Sequence, residues 1–216
     1  MTATKSARAQ PKPASTTATQ ILDLAETLIQ TRGYSAFSYQ DIAAALGIRK
    51  ASIHYHFASK TDLGVAVVTR YTERLAAALA GIMRDESTST AALLDFYVTP
   101  YLQFAETPDR VCLCGALAGE MLALPAAMRA CVARFFRSHQ AWLAKILERG
   151  AARNEVTLSA PAAKIARLVF AALQGALLVK RTTADAAQLD DVVLALKAQL
   201  SLRNGAGRTR TRSRRR

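Results

Sequence analysis

The sequence predicts an all-α fold, with a three-helix unit at the N-terminal end and a larger helical body after it. Three observations predict it. Apolar residues recur at helical spacing along almost the whole chain, beginning with Ile21, Leu24, Ala25, Leu28 and Ile29. No stretch alternates apolar and polar residues as a half-buried strand does. Long runs are rich in Ala, Leu, Arg and Glu, which favour helix. The chain has 216 residues, 51% of them hydrophobic and 21% charged, with only 10 Gly and 6 Pro. That composition buries a sizeable core. It excludes a wholly disordered chain, a collagen-like one and a disulfide scaffold.

Residues 1–16 are rich in Thr, Ala, Pro, Ser and Lys and read as a disordered basic arm. Thr17 or Thr19 can cap the first helix, and Gly33 fits just past its end. Ser38 with Asp41 three residues on is a capping-box variant that opens a second helix. Ile42, Ala45 and Leu46 form its inner stripe, and Gly47 ends it after two turns. Ile48 returns to the core, and a short third helix runs from about Arg49 to Tyr55. A second box, Ser59 with Asp62, opens a helix from Lys60 to about Met83. Further helices are expected over Thr90 to Glu106 with a kink at Pro100, over Cys112 to Leu124, and from Pro125 to about Arg153. Two more follow: one capped by Ser159, with Pro161 in its first turn, to about Arg181, and one from about Ala186 to Leu202. Asn204-Gly205 closes the last, and 205–216 form a disordered Arg-rich tail. The domains are therefore expected at 17–63 and 64–204.

Charge points to a polyanionic partner. There are 29 Lys and Arg against 16 Asp and Glu, a net +13. The excess lies at the ends: residues 1–60 carry seven basic and three acidic side chains, and 205–216 carry six arginines and no acid. The tail can add sequence-independent DNA affinity through counterion release. Three cysteines and no apolar segment in the first twenty residues suggest a reducing compartment. The longest apolar run, Val169 to Val179, is interrupted by Gln174 and is about half of the roughly 20 residues a bilayer span needs. A cytoplasmic protein without a membrane partner is expected.

A short helix, a glycine turn and a second short helix make a helix-turn-helix, whose second helix lies in the DNA major groove. Here that helix reads Arg49-Lys50-Ala51-Ser52-Ile53-His54-Tyr55-His56-Phe57. Ile53 and Phe57 pack inward. Arg49, Lys50, Ser52, His54, Tyr55 and His56 are left to meet phosphates and base edges of double-stranded DNA.

Residues 20–70 resemble the DNA-binding domain of the TetR/AcrR family of bacterial transcriptional regulators. The landmarks are Ala25, Gly33, Phe37, Asp41-Ile42-Ala43, Gly47, His54-Tyr55-His56-Phe57, Ser59-Lys60 and Leu63. The resemblance implies that Lys50, Ser52, Tyr55, His56 and Lys60 contact DNA, with Ser38 and Tyr39 near phosphates. His54 stands where the family usually has Tyr. The resemblance further implies a variable helical domain that binds a small-molecule effector and pairs through its last two helices. The sequence agrees on its own terms. Ile165, Leu168, Val169, Ala172, Leu173, Ala176 and Leu177 form one stripe that Phe170, Ala171 and Leu178 widen nearly all round, so that helix is expected to be buried on both sides. Leu189, Val192, Val193, Leu196 and Leu200 give a partner stripe. A homodimer through about 160–181 and 186–202 is expected, an ordinary monomeric core pair being the alternative.

Several residues are candidates for an effector pocket: Tyr97, Tyr101, Phe104, Leu113, Leu117, Glu120, Met121, Phe136, His139, Trp142 and Gln174. Glu120, on an apolar face, either meets a cationic effector or pairs with Arg129 or Arg134. The run from Cys112 to Glu120 also resembles a family subgroup with Cys-Leu-x-x-x-Leu-x-x-Glu, some members of which sense electrophiles or oxidants. That resemblance implies Cys112 as a sensing thiol with Arg110 as a helper. The plainer reading is a small buried residue. Cys112 and Cys114 point to different helix faces, so no metal site is expected with Cys131 and His139, and no cofactor is expected. No nucleophilic triad, carboxylate pair or phosphate loop stands out, so an enzyme is not expected. The expected function is an effector-released repressor, a homodimer on a near-palindromic operator. The alternative is a thiol-based electrophile or oxidant sensor.

Overall fold

The computed structural model describes residues 16–107 and 109–200. The basic arm and the Arg-rich tail lie outside the described residues. Nine helices follow one another among the described residues: α1 Thr17–Arg32, α2 Tyr39–Leu46, α3 Lys50–His56, α4 Lys60–Ile82, α5 Thr90–Ala105, α6 Leu113–Gly119, α7 Ala126–Ala152, α8 Ala162–Thr183 and α9 Gln188–Gln199.

The caps explain the N-terminal unit. Thr16, rather than the expected Thr17 or Thr19, caps α1 by accepting the Thr19 N–H, and both Ser/Asp capping boxes form, at Ser38–Asp41 and Ser59–Asp62. At the end of α2, Gly47 adopts φ +64°. Its N–H bonds to the carbonyl of Ala44, and that of Ile48 bonds to Ala43 at 3.1 Å. This Schellman pair satisfies carbonyls the helix leaves open and turns the chain sharply into α3. Ile21, Ala25, Ile29, Ile42, Ile53 and Leu63 close the core between α1, α2, α3 and the start of α4.

The body is built on α7, which packs most extensively on α8 and also on α4. Leu93, Leu117, Met128, Phe135, Leu143 and Leu173 are its buried centre. Pro100 sits inside α5, which continues to Ala105.

Three expected boundaries move. The Cys112–Leu124 helix contracts to Leu113–Gly119, because Gly119 weakens the helix and the chain then turns at Glu120, whose carbonyl takes the N–H of Ala123 and Leu124. Ser159 does not cap α8. Pro161 occupies that place in an extended conformation, and its carbonyl accepts the first helical bonds from Lys164 and Ile165. The last helix begins at Gln188 rather than Ala186, and the expected end at Leu202 lies outside the described residues.

The nearly all-round apolar surface of α8 predicts burial on both sides. Within one chain it buries one side, through Ile165, Val169, Phe170, Leu173 and Leu177, and leaves Leu168, Leu178 and Val179 exposed. It is the one described helix long and apolar enough to cross a membrane, and it packs between α7 and α9.

Candidate nucleic-acid interface and effector cavity

The reading face of α3 is set by what its apolar side does. Ile53 is fully buried against α1 and α2, and this turns Arg49, Lys50, His54, Tyr55 and His56 outward. Tyr55 is 85% exposed, with its ring edge-on to that of His56 at 5.1 Å between centroids. Ser52 is half-buried and Ser38 is exposed. The hydroxyl of Ser38 is engaged in its capping box with Asp41 at 2.7 Å.

Three residues expected near DNA make contacts within the unit: Tyr39 and Lys60 turn inward, and His54 stays exposed while packing on Tyr39. Tyr39 is buried, and its hydroxyl donates to the Phe57 carbonyl at 2.9 Å. Burial, and secondarily the charge of Asp62, push its pKa up to about 12. The bond ties the start of α2 to the end of α3 and fixes the angle between them. The His54 ring packs edge-on against Tyr39 with centroids 4.8 Å apart, and its Nδ1 lies 3.3 Å from the Ala58 carbonyl. The smaller imidazole thus braces the end of the reading helix. Lys60 folds back to donate to the carbonyl of Phe37, its ammonium over the rings of Tyr34 and Phe37. Burial lowers its pKa, and the nearby charge of Glu120 opposes that shift.

The N-terminal unit is moored to the body at two places. At mid-α1, Glu26 is 5% exposed and takes Arg74 at 2.7 Å and Arg70 at 3.2 Å, while Arg70 also reaches Asp23. At the end of α1, Glu120 accepts from the N–H of Tyr34 and Ser35, Arg110 donates to Gln30 at 2.7 Å, and Arg181 donates to the Thr31 carbonyl at 2.6 Å. This corrects both expectations for Glu120: it neither lines a cavity nor pairs with Arg129 or Arg134. Arg129 caps the Leu124 carbonyl, and Arg134 lies against Cys131. The expected helper role of Arg110 is corrected too. Its guanidinium is spent on Gln30 and lies over Phe104.

Behind the second mooring lies a cavity of about 70 Å³. α4 contributes Tyr71, Leu75, Ala78 and Leu79, and α5 contributes Phe96, Tyr97, Pro100, Tyr101 and Phe104. Cys112, just before α6, closes it together with Phe135 and His139 of α7. Inside it the Tyr71 hydroxyl meets the Cys112 thiol at 3.6 Å, and the Tyr97 hydroxyl meets His139 Nδ1 at 3.0 Å. Burial alone pulls His139 down to about 4, so its ring is neutral. A wider groove of about 400 Å³ shares Leu79 and His139 with the cavity and adds Arg84, Ser138, Trp142 and Lys145.

Of the expected pocket residues, Tyr97, Tyr101, Phe104 and His139 line the cavity, and Trp142 lines the groove. The others do not line it. Leu113 and Leu117 are wholly buried in the core because the short α6 presses that face inward. Met121 and Phe136 pack around that core. Gln174 stands behind the wall, donating to the Tyr101 hydroxyl at 3.1 Å. The α4 contribution was missed. Tyr71, Leu75, Ala78 and Leu79 fall at i, i+4, i+7 and i+8, a signal the sequence carries. The described cysteines are all free and buried, and burial raises the pKa of Cys114. Among the described residues no three His, Cys, Asp or Glu side chains gather as a metal site requires.

Two family models match the chain. Residues 21–67 match bacterial regulatory proteins of the tetR family, and residues 84–196 match the tetracyclin repressor-like C-terminal domain. A TetR transcriptional regulator from Legionella pneumophila is 33% identical and superposes with a TM-score of 0.79, over 88% of this chain and 100% of that one. A TetR-family regulator from Agrobacterium tumefaciens is 34% identical with a TM-score of 0.80, over 85% and 96%. Among curated proteins, the biofilm operon icaADBC HTH-type negative transcriptional regulator IcaR of Staphylococcus aureus is 27% identical over 128 residues, 54% of this chain and 68% of that protein.

Proposed function

Because this chain belongs to the TetR family of bacterial regulatory proteins, and so is a DNA-binding transcriptional regulator, we propose that it acts as a homodimeric repressor released from DNA by a small effector. The exposed polar side of α3 carries this reading. Arg49, Lys50, Ser52, Tyr55 and His56 enter the major groove, while Tyr39 and Lys60 hold the reading helix from behind and the exposed His54 braces its end. The described residues show no partner for the guanidinium of Arg49 or the ammonium of Lys50, so both are available to phosphates or base edges.

The dimer forms on the outward side of α8 and α9. Leu168, Leu178 and Val179 on α8 and Leu194 on α9 are exposed, and Leu194 is 65% so. Isologous pairing of that face would present two α3 helices to successive major grooves of a near-palindromic operator, about one helical turn apart or somewhat more. An effector held in the cavity acts on Cys112, just before α6, while Glu120, just after it, holds the corner of α1 and α2. A ligand that binds only one arrangement of α6 therefore shifts the spacing of the reading helices.

A second reading makes Cys112 an oxidant or electrophile sensor. What favours it is the place of the thiol on the cavity wall. What weighs against it is its surroundings: a tyrosine hydroxyl and aromatic rings, with Arg110 turned away.

The test is retardation of duplex DNA from upstream of this chain's own gene. Tyr55→Ala with Lys50→Ala should lose sequence-specific retardation and keep the fold. Retained retardation would overturn the assignment of α3. An oxidant that still releases DNA from Cys112→Ser would remove the thiol reading.

A further inference from the structure

Resting on the reading that the cavity takes the effector, the geometry points to the effector's class: a compact uncharged molecule of about three to five non-hydrogen atoms, apolar but for one hydrogen-bonding oxygen, as in short-chain ketones, aldehydes and alcohols.

Size comes first. A cavity of about 70 Å³ is roughly half the 150 Å³ that holds a benzene ring in a protein interior. A benzene-sized ring fits only by extending past Leu79 and His139 into the groove or by pushing the walls apart. A molecule of a few atoms enters without doing so.

Charge comes second. No lining side chain carries a charge. The charged groups nearby are spent elsewhere: Glu26 on Arg70 and Arg74, Arg110 on Gln30, Glu120 on Tyr34 and Ser35. Arg84 and Lys145 line the outer groove only. An anion or cation in the cavity would lose its hydration and meet no counter-charge. The imidazole itself responds in this way and stays neutral.

Hydrogen bonding comes third. The polar wall atoms are largely satisfied by one another: Tyr71 with Cys112, Tyr97 with His139 Nδ1, and the Tyr101 oxygen with Gln174. His139 lines both the cavity and the groove, and its second ring nitrogen makes no hydrogen bond among the described residues. One such handle matches one ligand oxygen.

The chain's one tryptophan reports on the site. Trp142 stacks on Tyr97, a wall residue, with centroids 5.4 Å apart and planes at 15°. The full-length protein is titrated at pH 7.5 with 2-butanone, propionate and isopropylammonium while Trp142 fluorescence is followed. The result expected is a saturable change with 2-butanone, with a preference of about tenfold or more over both ions. Phe96→Lys places a cation at the 38% exposed edge of the cavity and should raise propionate affinity. Leu75→Phe fills the space and should weaken 2-butanone binding. Tighter binding of either ion by the wild type, unchanged butanone binding in Leu75→Phe, or saturation by none of the three overturns the class. DNA release by propionate would overturn the class and leave the effector reading standing. DNA held unchanged against all three compounds and against a broader set of larger ligands would remove the effector reading itself.

Discussion

The carboxylate of Glu120 accepts the backbone N–H of Tyr34 at 2.6 Å and that of Ser35 at 2.8 Å, so one side chain of the body grips the corner between α1 and α2. Removing it leaves the part-buried N–H of Tyr34 without its acceptor and returns that of Ser35 to water. Glu120→Ala should destabilise the fold by about 1–3 kcal/mol. In a chain of this size that is several degrees of melting temperature, at about 2–4 °C per kcal/mol. Amide hydrogen exchange should accelerate at Tyr34 and Ser35 first. Unchanged protection at those two amides would show that the grip does not persist in solution.

Gly33 makes that grip possible. Its φ is +92°, and a Cβ built there would stand 2.3 Å from Glu120 Oε1. Gly33→Ala should cost about 1–3 kcal/mol from backbone strain, with the carboxylate displaced in addition. The two changes share one contact, so a double-mutant cycle with Glu120→Ala should be non-additive by at least about 0.5 kcal/mol. Additive costs would mean the glycine serves its own backbone alone.

Tyr55 and Lys60 should behave in opposite ways, although both lie in the segment that resembles family DNA contacts. Tyr55 is solvent-exposed, so Tyr55→Ala should leave stability within about 0.5 kcal/mol while operator affinity falls at least tenfold. Lys60 rests on two rings and a carbonyl, so Lys60→Met should lower stability by about 1–2 kcal/mol. Thermal melts set beside gel retardation separate the two. Equal stability losses in both variants would contradict the inward placement of Lys60.

His139 predicts a slope of stability with pH. Its pKa falls to about 4 in the fold from an ordinary 6.5, so the unfolded chain binds the proton more readily. The neutral ring costs nothing above about pH 6.5. Stability is then lost as pH falls from about 6.5 to 4, by at most about 3 kcal/mol. Denaturant melts of the wild type and His139→Gln should diverge in slope across that window. Parallel curves would mean the ring is solvated.

The helices of the N-terminal unit and its two capping boxes are legible in the sequence because the signals are local, whereas the caps of α1 and α8 fall on Thr16 and Pro161 rather than on the expected residues. Ser38 with Asp41, Gly47 before Ile48, and Ser59 with Asp62 each fix geometry within a few residues. The cavity was half legible. Tyr97, Tyr101, Phe104 and His139 lie on the expected helices, but which face of α4 meets them depends on how α4 crosses α7. Glu120 was illegible for a like reason. Its partners lie 85 and 86 residues away and are backbone donors, to which residue identity gives no clue. The inward turn of Lys60 depends on two aromatic rings more than twenty residues earlier in the chain.

Leu194 tests the assembly. It is the most exposed large apolar residue of α9 among the described residues, on the face proposed to pair. Leu194→Glu should shift a dimer toward monomer in sedimentation velocity and weaken operator binding, without lowering helix content. A dimer that survives would place the interface elsewhere.

Helix α1 is fastened to two different parts of the body. Glu26 ties its middle to α4, whereas Gln30, Thr31 and the corner after it are tied to Arg110, Arg181 and Glu120. A rod pinned at two points turns only when one pin slides past the other. Motions that carry both pins together leave the orientation of α1 relative to the body unchanged. On the proposed effector-released reading, a shear between α4 and the α6–α8 side is the motion that would move one pin past the other.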